Sequence, residues 1–156
     1  MKLESMYQEI ILDHYRDPHG RGLREPFGGE SFQVNPTCGD EVTLRVQLDD
    51  DVVRDVSYEG MGCSISQAAQ SVLHDLVVGK PLEQARSIGA DFLTLMQSKG
   101  DQAVADSLED SLEDAVAFVG VGRYPARVKC ALLGWMAFRV ASEQAATVAQ
   151  QGDRDE

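Results

Sequence analysis

The chain contains no G-x-S-x-G, Walker A, G-x-G-x-x-G or H-E-x-x-H pattern. Serine hydrolysis, phosphate-loop or dinucleotide binding and metalloprotease chemistry therefore have no foothold. Long hydrophobic runs are also missing: no stretch of eighteen apolar residues occurs, and Met1-Lys2-Leu3-Glu4 lacks the apolar core of a signal peptide. A cytoplasmic protein that does not enter a membrane is expected. Basic residues are scarce, 14 against 26 acidic ones, for a formal charge of −12. Nucleic-acid binding needs a basic face, so that partner class is excluded, whereas docking on basic patches of other proteins suits the charge. Cysteine is rare as well. Three is an odd number and too few for a disulfide framework, so each cysteine is expected to pack, bind metal or react.

What is present is ordinary globular material: 156 residues, 43% hydrophobic and 26% charged, enough for a core without staples. No repeat or linker divides the chain, and a single domain over 1–149 with a frayed tail over 150–156 is expected. A first helix is predicted over Ser5 to Tyr15, with Ser5-x-x-Gln8 as a capping box, stopped by Asp17-Pro18-His19-Gly20. A Gly-rich loop through Gly28-Gly29 follows. Phe32 and Val34 alternate until Asn35-Pro36, Val42 to Leu48 alternate over a longer run, and Val52, Val56 and Tyr58 return after three aspartates. This spacing predicts an antiparallel sheet of about three strands. After Gly60-Met61-Gly62 the apolar period lengthens to that of a helix, with Ser64-x-x-Gln67 as a second capping box. Gly79-Lys80-Pro81 is expected to end that helix and start a short one. The stretch from Ile88 to Phe118 reads as two or three modest acidic helices. Tyr124-Pro125 opens a long last helix whose apolar residues run nearly all round, which predicts a central buried element. Strands first and helices afterwards define an α+β fold, a small antiparallel sheet packed against helices with a long C-terminal helix.

The three cysteines fall at informative places. Cys38 lies in the loop Asn35-Pro36-Thr37-Cys38-Gly39-Asp40, Cys63 just before a predicted helix, and Cys130 in the first turns of the last one. Helix N-termini and neighbouring Arg127 and Lys129 favour thiolate, the form that binds metal and attacks sulfur. Gly39 permits the unusual dihedrals a tight C-G-D turn needs, and Gly60 and Gly62 flank Cys63 in the same way. Cys38, Asp40, Cys63 and Cys130 together make four donors, a set that suits tetrahedral zinc. Three thiolates equally suit an iron–sulfur cluster. No C-x-x-C pair is present, so neither a zinc finger nor a bacterial ferredoxin is indicated. His14 and His74 fall on helices as core or surface residues, and His19 is expected to be solvated in its turn.

These segments resemble a known family. Asn35-Pro36-Thr37-Cys38-Gly39-Asp40, Gly60-Met61-Gly62-Cys63-Ser64-Ile65-Ser66 and Arg127-Val128-Lys129-Cys130-Ala131-Leu132-Leu133-Gly134-Trp135 are similar to the three cysteine motifs of the SufU/IscU (NifU N-terminal) family. Tyr7 to His14 and Asp17 to Gly22 resemble its N-terminal helix and loop. Two features favour the SufU branch: the long stretch between Cys63 and Cys130, and Lys129 where IscU proteins carry a histidine ligand. The resemblance implies a zinc-dependent, sulfurtransferase-like protein of iron–sulfur cluster assembly, which accepts persulfide sulfur from a SufS-type cysteine desulfurase and passes it to downstream Suf cluster-assembly proteins. It implies that Cys38 takes the sulfur, that Cys38, Asp40, Cys63 and Cys130 hold the zinc, and that Arg127 assists transfer. A scaffold building an iron–sulfur cluster on the same cysteines, and a structural zinc module serving only for docking, stand as the alternatives.

Overall fold

The computed structural model describes residues 3–37 and 39–155, the side chains of 152–155 excepted. Three antiparallel strands form one sheet in the order β1 (Gly29–Asn35), β2 (Asp40–Asp49) and β3 (Val52–Met61). The β2–β3 turn is made by Asp50 and Asp51, both with positive φ, the conformation a two-residue hairpin demands and aspartate tolerates. Val42, Leu44 and Val46 of β2 and Val56 and Tyr58 of β3 point inward as their alternation requires, and a register shift at Gln47/Leu48 lets Val53 point inward as well. Strand β1 behaves differently. Its Phe32 and Val34 lie on the exposed face, while Gly29, Ser31 and Asn35 point inward. The small inward residues let a helix come close: a Cβ on Gly29 would lie 1.9 Å from the Ala141 carbonyl oxygen.

That helix is α6 (Pro125–Asp155), which lies along β1 and β2. Helix α2 (Ser64–Val77) packs beside it, and α1 (Leu3–Arg16) packs on α2. Helix α3 (Leu82–Gln97), two short helices α4 (Gln102–Ser107) and α5 (Glu109–Leu112), and a 3-10 segment (Glu113–Arg123) complete the outer layer. Phe92 of α3 stacks on Trp135 of α6 with centroids 4.7 Å apart and meets Phe118 edge-on at 5.9 Å. This aromatic group ties the outer layer to α6. The loop between α1 and β1 is fastened to β3: Gly22 N–H donates to the Tyr58 carbonyl at 2.7 Å, and Arg24 forms a two-pronged pair with Asp55 at 2.9 Å.

Several boundaries differ from expectation for local reasons. Helix α1 begins at Leu3, so Ser5 lies inside its first turn and is not its cap. The N-cap of α2 is Cys63, and Ser64 is its first helical residue; Gln67 reaches back to the Gly62 carbonyl at 2.7 Å instead of closing a box with Ser64. The helix after Pro81 is not short but 16 residues long, and Ile88 sits in its middle. Gly89 does not break it, because it faces Trp135 with room for the indole. Helix α6 is central and buried or half-buried on all sides from Cys130 to Trp135, as expected, and opens to one side only beyond that. Leu133, Trp135 and Phe138 are buried, but Met136 is 56% exposed and Val140 lies on the same open side. It is helical through Asp155, and the side chains of the expected 150–156 tail beyond Gln151 lie outside the described residues. No helix among the described residues is long and apolar enough to cross a membrane.

Candidate metal centre

Sheet register and helix start converge at one corner. Asn35 closes β1 and pairs with Asp40, which opens β2. The chain between them is held by two bonds: Thr37 N–H donates to Asn35 Oδ1 at 3.2 Å, and Gly39 N–H donates to the Asn35 carbonyl at 2.8 Å. Gly39 has φ +75, so the expected tight turn does require glycine there. The other two glycines serve room rather than dihedral freedom. A Cβ on Gly60 would lie 2.1 Å from the Glu41 carbonyl oxygen, and one on Gly62 would lie 2.2 Å from Ser66 Oγ. Strand β3 can thus press against β2 and deliver Cys63 to the end of the sheet.

Asp40 is the hub. It is only 4% exposed, and its carboxylate meets Cys63 twice: Oδ1 accepts the Cys63 backbone N–H at 3.2 Å, and Oδ2 accepts the thiol at 3.4 Å. Because Cys63 is the N-cap of α2 and its own side chain makes no cap bond, Asp40 supplies from β2 the negative group that a helix start favours. Cys130 reaches the same corner from the second turn of α6 and is buried. Its thiol donates to the Ala126 carbonyl at 3.6 Å, and Asn35 Nδ2 donates to its sulfur at 3.9 Å. One ligand atom from each of Asp40, Cys63 and Cys130 lies within 4.8 Å of the other two.

The expected set is therefore brought together in three of its four members. Cys38, the fourth, lies outside the described residues. Arg127 and Lys129 are exposed in the first turns of α6 and make no ion pair among the described residues. Sequence reasoning missed Asn35 as a contact of Cys130. Its polar side chain at an inward strand position, where an apolar one is the rule, was the available signal.

Two thiols and a carboxylate form a donor set matched to a thiophilic divalent ion. Two of the three are buried, and all three bind as anions, so close approach of the charged forms calls for a cation between them. A corner of this kind, carried on an antiparallel sheet end and two helix starts, could hold a metal ion, in a protein of α+β type. The model of the NifU-like N terminal domain matches residues 6–131, and the chain belongs to that family, the SufU/IscU family. It is 40% identical over 147 residues to the zinc-dependent sulfurtransferase SufU of Bacillus subtilis (strain 168), covering 91% of this chain and 94% of that one. It is 34% identical over 155 residues to the iron-sulfur cluster assembly scaffold protein IscU of Streptococcus pyogenes serotype M1, covering 99% and 93%. The crystal structure of FiSufU from Fervidobacterium islandicum AW-1 superposes with a TM-score of 0.76 at 33% identity, over 90% of this chain and 98% of that one.

Proposed function

We propose that this protein serves iron–sulfur cluster assembly as a zinc-dependent sulfur carrier, loaded by a cysteine desulfurase of the SufS type and unloaded by downstream cluster-assembly proteins. The observation that carries this reading is the convergence of Asp40, Cys63 and Cys130 within 4.8 Å at the end of the sheet. With Cys38, two residues before Asp40, they supply four ligands for zinc. Bound there, zinc would hold the thiolates deprotonated without taking part in electron transfer.

The chain's own residues divide the remaining work. Asp40 fixes Cys63 through backbone and thiol together, so Cys63 is a holding ligand. Cys130 is buried on α6 and held between Ala126 and Asn35, which suits holding as well. Cys38 is the residue assigned to transfer. Its thiolate attacks the terminal sulfur of the donor persulfide, the donor's S–S bond breaks, and the donor cysteine leaves as thiolate. A persulfide remains on Cys38, and no external oxidant or reductant enters the balance. Arg127 and Lys129, both unpaired among the described residues, offer positive charge to the anionic sulfur species. Phe32, Val34 and Met61, on the outer face at the same end of the sheet, are exposed apolar residues that suit cover by a partner protein.

A scaffold reading, in which the same cysteines hold an iron–sulfur cluster, is favoured by the IscU-named relatives. Metal analysis of anaerobically purified protein separates the two. The carrier reading expects about one zinc per chain without visible colour, lost in Cys63→Ser and in Cys130→Ser. Stoichiometric iron and acid-labile sulfide with a brown chromophore would replace it by the scaffold reading.

A further inference from the structure

The chain has three histidines, at positions 14, 19 and 74, from a helix, a loop and a second helix. Two of them meet at one carboxylate, and the third packs beside it. His19 Nδ1 lies 2.6 Å from Asp75 Oδ2, and His74 Nδ1 lies 3.1 Å from Asp75 Oδ1. His14 packs edge-on against His19 with ring centroids 5.0 Å apart. One ligand atom from each of His14, His19 and Asp75 lies within 4.8 Å of the other two. Asp75 follows Cys63 by twelve residues along α2, about 18 Å of helix rise, so this group is separate from the cysteine corner.

The group is held from beneath by α2 and β3. Ser71 Oγ lies 2.7 Å from His14 Nδ1 and accepts the His19 backbone N–H at 2.9 Å, fixing one ring and the backbone of the other from a single fully buried hydroxyl. Tyr58 O–H donates to the His19 carbonyl at 2.7 Å, so the loop is also held from β3. Supporting bonds of this kind set ring orientation and donor strength in metal sites. The local charge is negative. Asp17 Oδ2 lies 3.7 Å from His19 Nε2, and Asp114 Oδ2 lies 3.8 Å from His14 Nε2. A cavity of about 170 Å³, bordered by His14, Val72, Asp75, Leu76, Glu113 and Asp114, opens beside the group. It has room for an ion and its water ligands.

We propose that His14, His19 and Asp75 form a second metal site, which takes a borderline divalent transition ion such as zinc, cobalt or nickel. Two imidazoles and one carboxylate select such ions over magnesium or calcium, which prefer all-oxygen shells. They leave positions that Asp114 or water can fill. The bound ion joins α1, the loop after it and α2; hydrogen bonds already link the loop to α2 through His19 and Asp75, and α1 to α2 through His14 and Ser71.

The test uses the full chain with its cysteine centre first saturated with zinc, then freed of excess zinc and titrated with Co2+. One further cobalt per chain is expected, seen as weak visible d–d bands without the intense near-ultraviolet charge transfer that thiolate ligands give. His19→Ala changes a partly exposed side chain and should keep the helical circular-dichroism signal. It should lower cobalt affinity by more than the about 10–100-fold that loss of an outer-shell partner costs, and Asp75→Asn should do the same. His74→Ala should fall within that outer-shell range. Absence of a second equivalent, cobalt that enters only with thiolate charge transfer, or unchanged affinity in folded His19→Ala would each overturn the site.

Discussion

Two groups of ligand-type side chains flank α2, and they are closed by different chemistry. At its start, the Cys63 thiol meets Asp40 at 3.4 Å, and the Cys130 sulfur meets the Ala126 carbonyl at 3.6 Å and Asn35 at 3.9 Å, the weak hydrogen bonds of thiols. Toward its end, His14, His19, His74, Ser71 and Asp75 are joined by nitrogen and oxygen bonds of 2.6 to 3.1 Å. Burial alone pushes the Asp75 carboxyl up, but the hydrogen bonds and charges of His19 and His74 outweigh it and hold Asp75 below the ordinary carboxylate range. The difference is one of self-sufficiency. Among the described residues, the histidine group is joined by nitrogen and oxygen bonds when protons occupy it, whereas the described contacts of the Cys63 and Cys130 sulfurs are weak ones that an ion would replace.

The largest expected effect follows from that contrast. Removing metal with a chelator should cost stability of the order RT ln(1 + [L]/Kd), about 4 kcal/mol at a thousandfold excess over Kd, or about 8–16 °C in melting temperature for a chain of this size. Calorimetry with and without chelator checks it, and Cys63→Ser should lose most of the difference. Identical melting of the parent in both conditions would erase the distinction between the two groups.

Next in size is His14→Ala. It empties a buried position and strips a partner from the fully buried Ser71 hydroxyl, so a loss of about 2–3 kcal/mol is expected in urea unfolding with chelator present. A loss below about 0.5 kcal/mol would mean the network contributes no stability of its own. Asp40→Asn comes third. Asparagine keeps an oxygen for the Cys63 N–H, so metal-free stability should change by about 1 kcal/mol or less, while zinc affinity falls, though less than in Cys63→Ser. Competition titration with a zinc indicator ranks the two variants, and the reverse order would make Asp40 more than a fourth ligand.

The smallest effect concerns the loop between the two groups. Asp55 is held below the usual carboxylate range chiefly by its hydrogen bond from Arg24, against a smaller push upward from burial. A lowered folded value means the ionised form contributes stability above the unfolded pKa of about 4, and that this is lost as pH falls through the lower folded value. The pair is largely solvent-facing, so Asp55→Asn should cost under about 1 kcal/mol near pH 7 and nothing at the acid end. A cost that stayed constant with pH would assign it to packing.

Periodicity found the three strands, the aspartate turn and the long last helix, because each has an apolar face and a sharp stop. It misplaced the faces of β1, where the inward positions are taken by Gly29, Ser31 and Asn35 for helix contact and for the site. It misjudged α3, expecting a short helix after Pro81 and a new one from Ile88 where one helix runs from Leu82 to Gln97. The cysteine corner was legible because Cys63 and Asp40 stand beside glycines in short motifs, and the same motifs carried the family resemblance. The histidine group was not legible. Its members are separated by as many as 61 positions, their spacing within any one segment is unremarkable, and only the packing of α1 on α2 brings them together.

The most direct measurement is where sulfur lands. The protein is incubated with a SufS-type desulfurase and cysteine, alkylated, digested and mapped by peptide mass. The account predicts added sulfur on Cys38, with none on Cys63 or Cys130, and neither adduct nor stimulated desulfurase turnover in Cys38→Ser. Sulfur chiefly on Cys63 or Cys130, or on no cysteine at all, would contradict it.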